Sequence, residues 1–225
     1  MDLSGTTVIA YSNSADEMAG GIKFYDPSAK SFGPAIKDVF ANFDGLSRDD
    51  RIRYDSPKFA GTWLSASHIS GGAVDVALRH AAKYGSLKAA AAIAYADQSS
   101  LSTSVENRLD GSVSLLLDSG VNVTVALGRD SKEGTGSDPR SYYGKLGYIA
   151  RIFDIGDTAF AVDFARADNI ATDNDEATSY GLGAVQNLKD FGTQLYLGVR
   201  NHELDRAGSP FDDVLTTLAG ARVKF

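Results

Sequence analysis

The sequence is poor in several residue types that stabilise compact folds. Its 225 residues include no cysteine, two methionines, one tryptophan and five prolines. Without cysteine, neither a disulfide framework nor a thiolate metal site is available. The absence says little about compartment, but it suits a chain that stays unfolded while it crosses an oxidising space. At this length the chain could form one large all-β domain or two small ones.

Long apolar runs are also absent. The longest is Ala89–Ala96, far below the roughly 18 residues that a membrane-spanning helix needs. This excludes a helical membrane protein. A membrane β-barrel is not excluded, because only every second residue of its strands faces lipid and the average hydropathy stays low.

No strong positive charge is present. The chain has 22 basic and 29 acidic residues, a net charge of −7, which argues against nucleic acid as a partner. The charges are scattered along the chain, so no acidic or basic tail stands out.

What the sequence does contain is alternation. Val121, Val123 and Val125 alternate with polar or small residues, and successive side chains of a strand point to opposite faces. Such runs predict an all-β, antiparallel up-and-down barrel with about twelve strands, including a weak opening strand at Leu3 and Thr7–Tyr11. The other candidates are 51–55, 59–69, 73–84, 87–97, 105–117, 121–129, 142–153, 158–167, 177–187, 191–202 and 213–225.

The connections between these strands alternate in length. Very short ones fall at 56–58, 85–86, 118–120, 154–157 and 188–190. The others fall at 12–50, 70–72, 98–104, 130–141, 168–176 and 203–212, of which only 70–72 is also short. Tight turns can join any antiparallel neighbours, so short connections are not required at one end only. The alternation therefore indicates a sheet with short turns at one end and longer loops at the other, as in outer-membrane barrels.

Strand length and aromatic placement favour the same class. Most runs have about 9–14 residues, against five or six in globular proteins and about 9–11 in membrane barrels. Aromatic residues near strand ends predict girdles at two membrane interfaces, although cross-strand packing in a soluble barrel would use them as well. They are Tyr84, Tyr95, Tyr142, Tyr143, Phe153, Tyr180, Phe191 and Phe225.

Charged residues of both signs share one predicted face, and we interpret this face as the lining of a water-filled channel. The alternative is a soluble barrel with a dry core, but the opposite face holds many small residues that would pack poorly as a core. The predicted lining residues are Asp75, Arg79, Lys83, Arg108, Asp110, Lys145, Arg151, Asp163 and Arg200.

The three histidines give little support to an enzyme. His68, His80 and His202 fall on separate strands, with no nucleophile motif and no metal-ligand spacing. We therefore expect no catalytic residue, no metal and no cofactor.

Three stretches carry a resemblance to a known family. FDGLSRDDRIRYDSP followed by FAGTWLSAS is similar to the segment after the constriction loop of trimeric Gram-negative outer-membrane porins. DLSGTTVIAYSN with MAGGIKFYD resembles the loop region, and TLAGARVKF resembles an outer-membrane assembly signal ending in Val223 and Phe225. The resemblance implies a transmembrane barrel over 1–225, with residues 12–50 folded inward as a constriction loop and about eleven barrel strands over 51–225.

The resemblance also implies a function. Such a porin lies in the Gram-negative outer membrane, passes ions and small hydrophilic solutes by passive diffusion, and forms a homotrimer when full-length. Lipid and the outer-membrane assembly machinery would be its partners. Candidate constriction residues are Asp16, Glu17, Asp26, Asp38, Arg51 and Arg53. The alternative function is a non-conducting membrane or soluble barrel that binds a ligand or serves as structure.

The start of the chain departs from the family pattern. It has no basic start, apolar core or cleavage site of a signal peptide, and family barrels have sixteen strands. We expect the chain to be a C-terminal portion of about two thirds of a porin.

Overall fold

The computed structural model describes residues 2–9, 20–41, 43, 46, 50–101 and 104–224. A small antiparallel hairpin comes first, formed by β1 (Lys23–Asp26) and β2 (Ser31–Ala35) and followed by the short helix α1 (Ile36–Val39). The rest of the described chain is one large antiparallel sheet. Its strands are β3 (Arg51–Asp55), β4 (Thr62–Ile69), β5 (Val74–Tyr84), β6 (Leu87–Asp97), β7 (Val105–Leu117), β8 (Val121–Lys132), β9 (Arg140–Phe153), β10 (Gly156–Asp168), β11 (Glu176–Leu188), β12 (Thr193–Arg206), β13 (Ser209–Pro210) and β14 (Val214–Val223).

The sheet is a continuous meander. From β3 to β12 each strand pairs with the next one in the chain, and both β13 and β14 pair with β12. The strands predicted between residues 51 and 224 are thereby confirmed, and three of them, 51–55, 87–97 and 105–117, have the predicted bounds. Among the described residues no helix is long and apolar enough to cross a membrane.

The two rims of the sheet differ as predicted except at the first connections, where residues 56–61 form a longer link than 70–73. On the short-turn rim, strands connect through residues 56–61, 85–86, 118–120, 154–155 and 189–192. On the long-loop rim they connect through 70–73, 98–104, 133–139 and 169–175, and β12 connects to β14 through 207–213, which include the two-residue strand β13. Because strands alternate in direction, every turn of one class lies at the same end of the sheet.

The two faces of the sheet are inverted relative to a soluble protein. Val121, Val123 and Val125 are 42%, 39% and 45% exposed, whereas the intervening Asn122 and Thr124 are 2% and 4% exposed. The register carries the pattern across strands, since Val123 pairs with Leu146 and Thr124 with Lys145. Large apolar side chains thus cover one surface, here called the apolar face, and polar and charged ones occupy the other, the polar face.

The start of the chain differs from the prediction of an opening strand. Residues 2–9, here called the N-terminal segment, contain a 3-10 turn at Thr7–Ile9 and no strand. Gly5 lies close to the Cβ of Ala159 on the polar face of β10. The segment therefore packs over the sheet instead of joining it. Ala10 and Tyr11, the remainder of the predicted strand, lie outside the described residues.

The hairpin and α1 are regular structure that the sequence pattern did not predict. Residues 20–41, here called the hairpin segment, bury Phe24, Ile36, Val39 and Phe40 in one apolar cluster. Its other members are Ala167, Ala177 and Leu204, which lie on the polar face near the long-loop rim. The small side chains of Ala167 and Ala177 leave room for the two phenylalanines, so the segment is held by packing against the sheet.

Candidate functional site

The polar face collects the charged residues that the sequence predicts for a channel lining. Register and alternation place eight of the nine predicted residues together on this face: Asp75, Arg79, Lys83, Arg108, Asp110, Lys145, Asp163 and Arg200. The ninth, Arg151, follows Lys145 by an even number of residues in β9 and lies exposed at the short-turn end of the same face. Their role in solute passage stays a prediction.

At the centre of the polar face Lys145 forms an ion pair with Asp2. Its Nζ lies 2.5 Å from Asp2 Oδ2, and the Lys145 side chain is 1% exposed. Asp2 Oδ1 accepts a hydrogen bond from Thr124 Oγ1 at 3.3 Å, and the Leu3 amide donates to Ser114 Oγ at 3.0 Å. The N-terminal segment is thus anchored to three neighbouring strands through polar contacts.

Burial and hydrogen bonding have opposite effects on the pKa of Asp2. Burial raises the pKa of this carboxyl, but the charge and the hydrogen bond of Lys145, with hydrogen bonds from Ser4, outweigh it and hold the pKa below its usual value. Asp2 is therefore ionised at neutral pH. A charged pair this well covered fixes the segment on the sheet, because separating it would leave a charge without its partner.

A second ion pair spans three strands. Arg200 on β12 donates from Nη2 to both oxygens of Asp163 on β10, at 2.5 and 2.7 Å. Tyr143 also donates to Asp163, at 3.1 Å, and Arg200 Nη1 donates to Ser179 at 3.1 Å. The Arg200 side chain is 2% exposed, so this network is enclosed as well.

A third pair lies toward the long-loop rim. Arg108 donates from Nε to Asp130 Oδ1 at 2.6 Å and from Nη2 to Oδ2 at 2.8 Å, the bidentate geometry that best suits a guanidinium and a carboxylate. The guanidinium carbon also lies 5.2 Å from the centre of the Phe43 ring. This contact links the chain after the hairpin segment to β7.

Charges on the first strands are more accessible. The predicted constriction residue Arg53 forms an exposed bidentate pair with Asp55 on its own strand, with a shortest contact of 2.8 Å. Arg51, the other predicted cation, has a nitrogen 3.7 Å from Asp75 Oδ2. Both arginines lie on the polar face, since they pair with Ile69 and Ser67 of β4.

The predicted constriction carboxylates divide into two groups. Asp16 and Glu17 lie outside the described residues. Asp26 and Asp38 make local contacts within the hairpin segment: Asp26 accepts from the amides of residues 28 and 29 at 2.8 and 2.9 Å, and Asp38 from the Ala35 amide at 3.0 Å. These contacts shape the turn after β1 and the start of α1.

Several polar-face residues were not predicted. Asp130 was missed because the predicted strand ends at Arg129, whereas β8 continues to Lys132. Asp2 lies just before the predicted opening strand, and the local sequence gives no signal of its partner 143 residues away. The buried His202 packs its ring edge-on against Phe40, with 5.9 Å between ring centres.

The prediction that aromatic residues near strand ends form girdles agrees with the exposure of most of them and is wrong at one residue. Tyr84, Tyr95, Tyr142 and Tyr180 are exposed on the apolar face, and Phe153 and Phe191 are exposed at the short-turn rim. Tyr143 was grouped with them, but it lies on the polar face against Asp163. Adjacent residues of a strand face opposite ways, so Tyr142 and Tyr143 cannot share a girdle.

The last strand has the predicted orientation. Val223 is 59% exposed and pairs with Thr193, and its register places it on the apolar face with Leu215. Phe225 lies outside the described residues. Within the described ranges, His, Asp and Glu side chains form no group of three that could hold a metal ion.

Known structures share this architecture. The anion-selective porin from Comamonas acidovorans aligns with a TM-score of 0.52 and 16% identity over 78% of this chain and 59% of that one. A loop L8 deletion mutant of OmpT, an outer membrane protein of Vibrio cholerae, aligns with a TM-score of 0.52 and 10% identity over 76% of this chain and 61% of that one. This chain therefore spans less than two thirds of either protein. A search of curated proteins found no significant match.

The sequence itself matches the Gram-negative porin family over residues 9–207. The match covers most of the chain and confirms the resemblance predicted from its motifs. It also confirms the predicted location in the outer membrane and the prediction that the protein is not an enzyme. The chain belongs to the Gram-negative porin family.

Proposed function

We propose that this chain forms part of an outer-membrane channel through which ions and small hydrophilic solutes diffuse passively. The observation that carries the proposal is the inverted sheet, with Lys145 and Arg200 on the polar face and Val121, Val123 and Val125 on the other. Charges distributed over the polar face suit hydrated solutes. An apolar exterior suits lipid, because every second residue of a membrane strand faces the hydrocarbon.

The material that covers the polar face supports a narrowed passage. The N-terminal segment and the hairpin segment both pack on this face, one through Asp2 and the other through Phe40. We assign residues 12–50 as the constriction loop and 51–225 as the barrel wall. Asp16, Glu17, Asp26 and Asp38 would then face wall cations including Arg51 and Arg53, and opposed charges across a narrow lumen set ion preference.

The remaining partners follow from the same proposal. Lipid covers the apolar face, and the assembly machinery recognises the end of β14 at Val223 and Phe225. The sheet forms part of a sixteen-stranded barrel, and the full-length protein assembles as a homotrimer. Closure is required because unpaired strand edges cannot be satisfied in lipid.

Single-channel recording in planar lipid bilayers tests the proposal. We expect stepwise, ohmic conductance from the complete barrel that contains this chain, refolded in detergent and inserted into the bilayer. The reversal potential in a salt gradient should shift when Arg51 and Arg53 are both replaced by glutamine, because the wall then loses two cations. A matched control is Arg129→Gln with Arg140→Gln, which removes two cations from the apolar face and should leave the reversal potential unchanged.

The alternative function predicts a different result in single-channel recording. A non-conducting barrel that binds a ligand or serves as structure would insert without current steps. Saturable binding of one small molecule, with no conductance from correctly folded protein, would reject the channel.

A further inference from the structure

Phe43 places an aromatic ring on the polar face. It lies just after the hairpin segment, in the stretch FDGLSRDD that carries part of the family resemblance, and it is only 3% exposed. The ring lies over Gly128 of β8, where an added Cβ would be 2.8 Å from the ring carbon Cγ, closer than two such carbons approach. The glycine therefore forms the floor of a depression that the ring fills.

Polar groups surround this depression, here called the Gly128 socket. Gly128 lies between Asp110 on β7 and Ser141 on β9. The Arg108 guanidinium carbon lies 5.2 Å from the centre of the Phe43 ring, and the ion pair of that arginine with β8 holds it in place. A guanidinium over an aromatic face is attractive. The ring therefore has a specific partner in a polar wall.

The backbone of Phe43 adopts a conformation that is rare for bulky residues. Its φ is 49°, in the left-handed region that favours glycine. Such strain persists only where the surrounding structure determines the position of the residue. The backbone is thus a second, independent sign that the wall fixes the position of this ring.

A similar contact fixes the other end of the covering chain. Ile9, at the end of the N-terminal segment, is buried, and its Cδ1 occupies the space that a Cβ at Gly183 of β11 would need. Strands β8 and β11 are three strand positions apart, about 14 Å across the sheet, whereas residues 10–42 could span more than about 100 Å if extended. The chain between the two contacts is far longer than the distance it has to cover. Its path therefore depends on where its two ends are fixed.

We propose that Phe43 is the positioning residue of the constriction loop, and that it fixes the outgoing end of this loop in the Gly128 socket and thereby sets the width of the passage. With the ring in the socket, the loop end stays at one distance from β8. With the ring displaced, the loop end can move away from the wall, and the open cross-section changes. The effect on solute flow rests on the proposed channel function, whereas the contact itself does not.

Hydrogen exchange and single-channel recording on the complete barrel that contains this chain test the proposal together. Phe43→Ala removes the ring, and Gly128→Ala fills the socket. In either variant we expect the peptide that contains residue 43 to exchange amide protons at least about tenfold faster, because the loss of a buried phenylalanine contact changes an equilibrium constant by more than that. The unit conductance should rise, with added current noise, because the loop end is released from the wall.

A double variant distinguishes a direct contact from two unrelated effects. Because Gly128→Ala acts by displacing the ring, it should add nothing to the effect of Phe43→Ala. Gly144→Ala is the control for the glycine, since nothing lies within 4 Å of a Cβ at that position. Phe32→Ala is the control for the phenylalanine, since Phe32 belongs to the hairpin segment but is 70% exposed. Both controls should show the exchange of the parent protein.

Exchange and conductance like those of the parent in Phe43→Ala would overturn the proposal, and so would additive effects in the double variant. Faster exchange with an unchanged unit conductance would also overturn it, because the contact would then not set the passage. Heat-dependent migration on SDS gels verifies that each barrel is folded. If the parent barrel gave no current steps, the channel function would fail, while faster exchange in the two variants would still establish the contact.

Discussion

Arg200 reaches across a strand to Asp163 because Gly181, which lies between them on β11, has no side chain. Arg200 Nη2 is 2.5 Å from Asp163 Oδ1, and a Cβ added to Gly181 would lie 3.1 Å from the guanidinium carbon. The glycine thus determines which charges on the polar face can meet. Charge placement on this wall depends on small residues as much as on the charged ones.

Replacing Gly181 by valine should separate this pair. The branched side chain would occupy the path of the guanidinium and break the ion pair between two enclosed charges, which costs about 3–5 kcal/mol. Thermal unfolding in detergent, followed by the loss of heat-dependent gel migration, should show a large decrease in stability. Gly144→Val is the control, since nothing lies within 4 Å of a Cβ at that position. Equal effects of the two variants would contradict this role for Gly181.

Lys145→Met should release the N-terminal segment. Asp2 would lose the cation that offsets its burial, so residues 2–9 should exchange amide protons faster and become accessible to protease. Hydrogen exchange read by mass spectrometry measures this directly. Lys83→Met is a matched control, because the Lys83–Asp118 pair is half exposed on both sides and exposed pairs contribute about 0–1 kcal/mol. Unchanged exchange in Lys145→Met would show that the ion pair does not hold the segment.

The loop of residues 169–175 should be sensitive to acid. Burial raises the pKa of Asp175, but hydrogen bonds from Arg206 and Thr172 outweigh it and lower the pKa overall. A carboxyl with a lowered folded-state pKa contributes stability above its unfolded pKa of about 4, and this stability is lost as pH falls through the folded value. Exchange of the loop amides, corrected for intrinsic rates, should therefore rise below about pH 4. Asp175→Asn should show fast exchange at neutral pH already, and a parent loop with no acid response would contradict the assignment.

The sequence predicts the strands better than the covering segments, for a physical reason. In β6 and β7 the alternation of side chains repeats at each step, so the bounds Leu87–Asp97 and Val105–Leu117 follow from the local pattern. The hairpin segment has no such period. Its shape depends on the packing of Phe24 and Phe40 against small residues of β10 and β11, which are far away in sequence. A local sequence pattern cannot predict that contact.

The candidate site also has features that the local sequence pattern predicts and features that it does not. Which residues face the polar side could be read from the alternation along each strand, and Lys145 and Arg200 were placed in this way. Their partners could not, because Asp2 is distant in sequence and Asp130 lies just past the end of the predicted strand. The position of Tyr143 could have been predicted, since its neighbour Tyr142 already occupies the opposite face.

The absence of native cysteine allows the inversion of the sheet to be measured residue by residue. Strand β6 suits this measurement because most of its residues are alanine, and cysteine replaces alanine with little change in volume. Single cysteines at Ala91, Ala92, Ile93 and Ala94, in protein reconstituted into liposomes, would be treated with a charged thiol reagent that cannot enter lipid. We predict that positions 92 and 94 react and that 91 and 93 are protected. Reaction at 91 and 93 with protection at 92 and 94 would contradict the account.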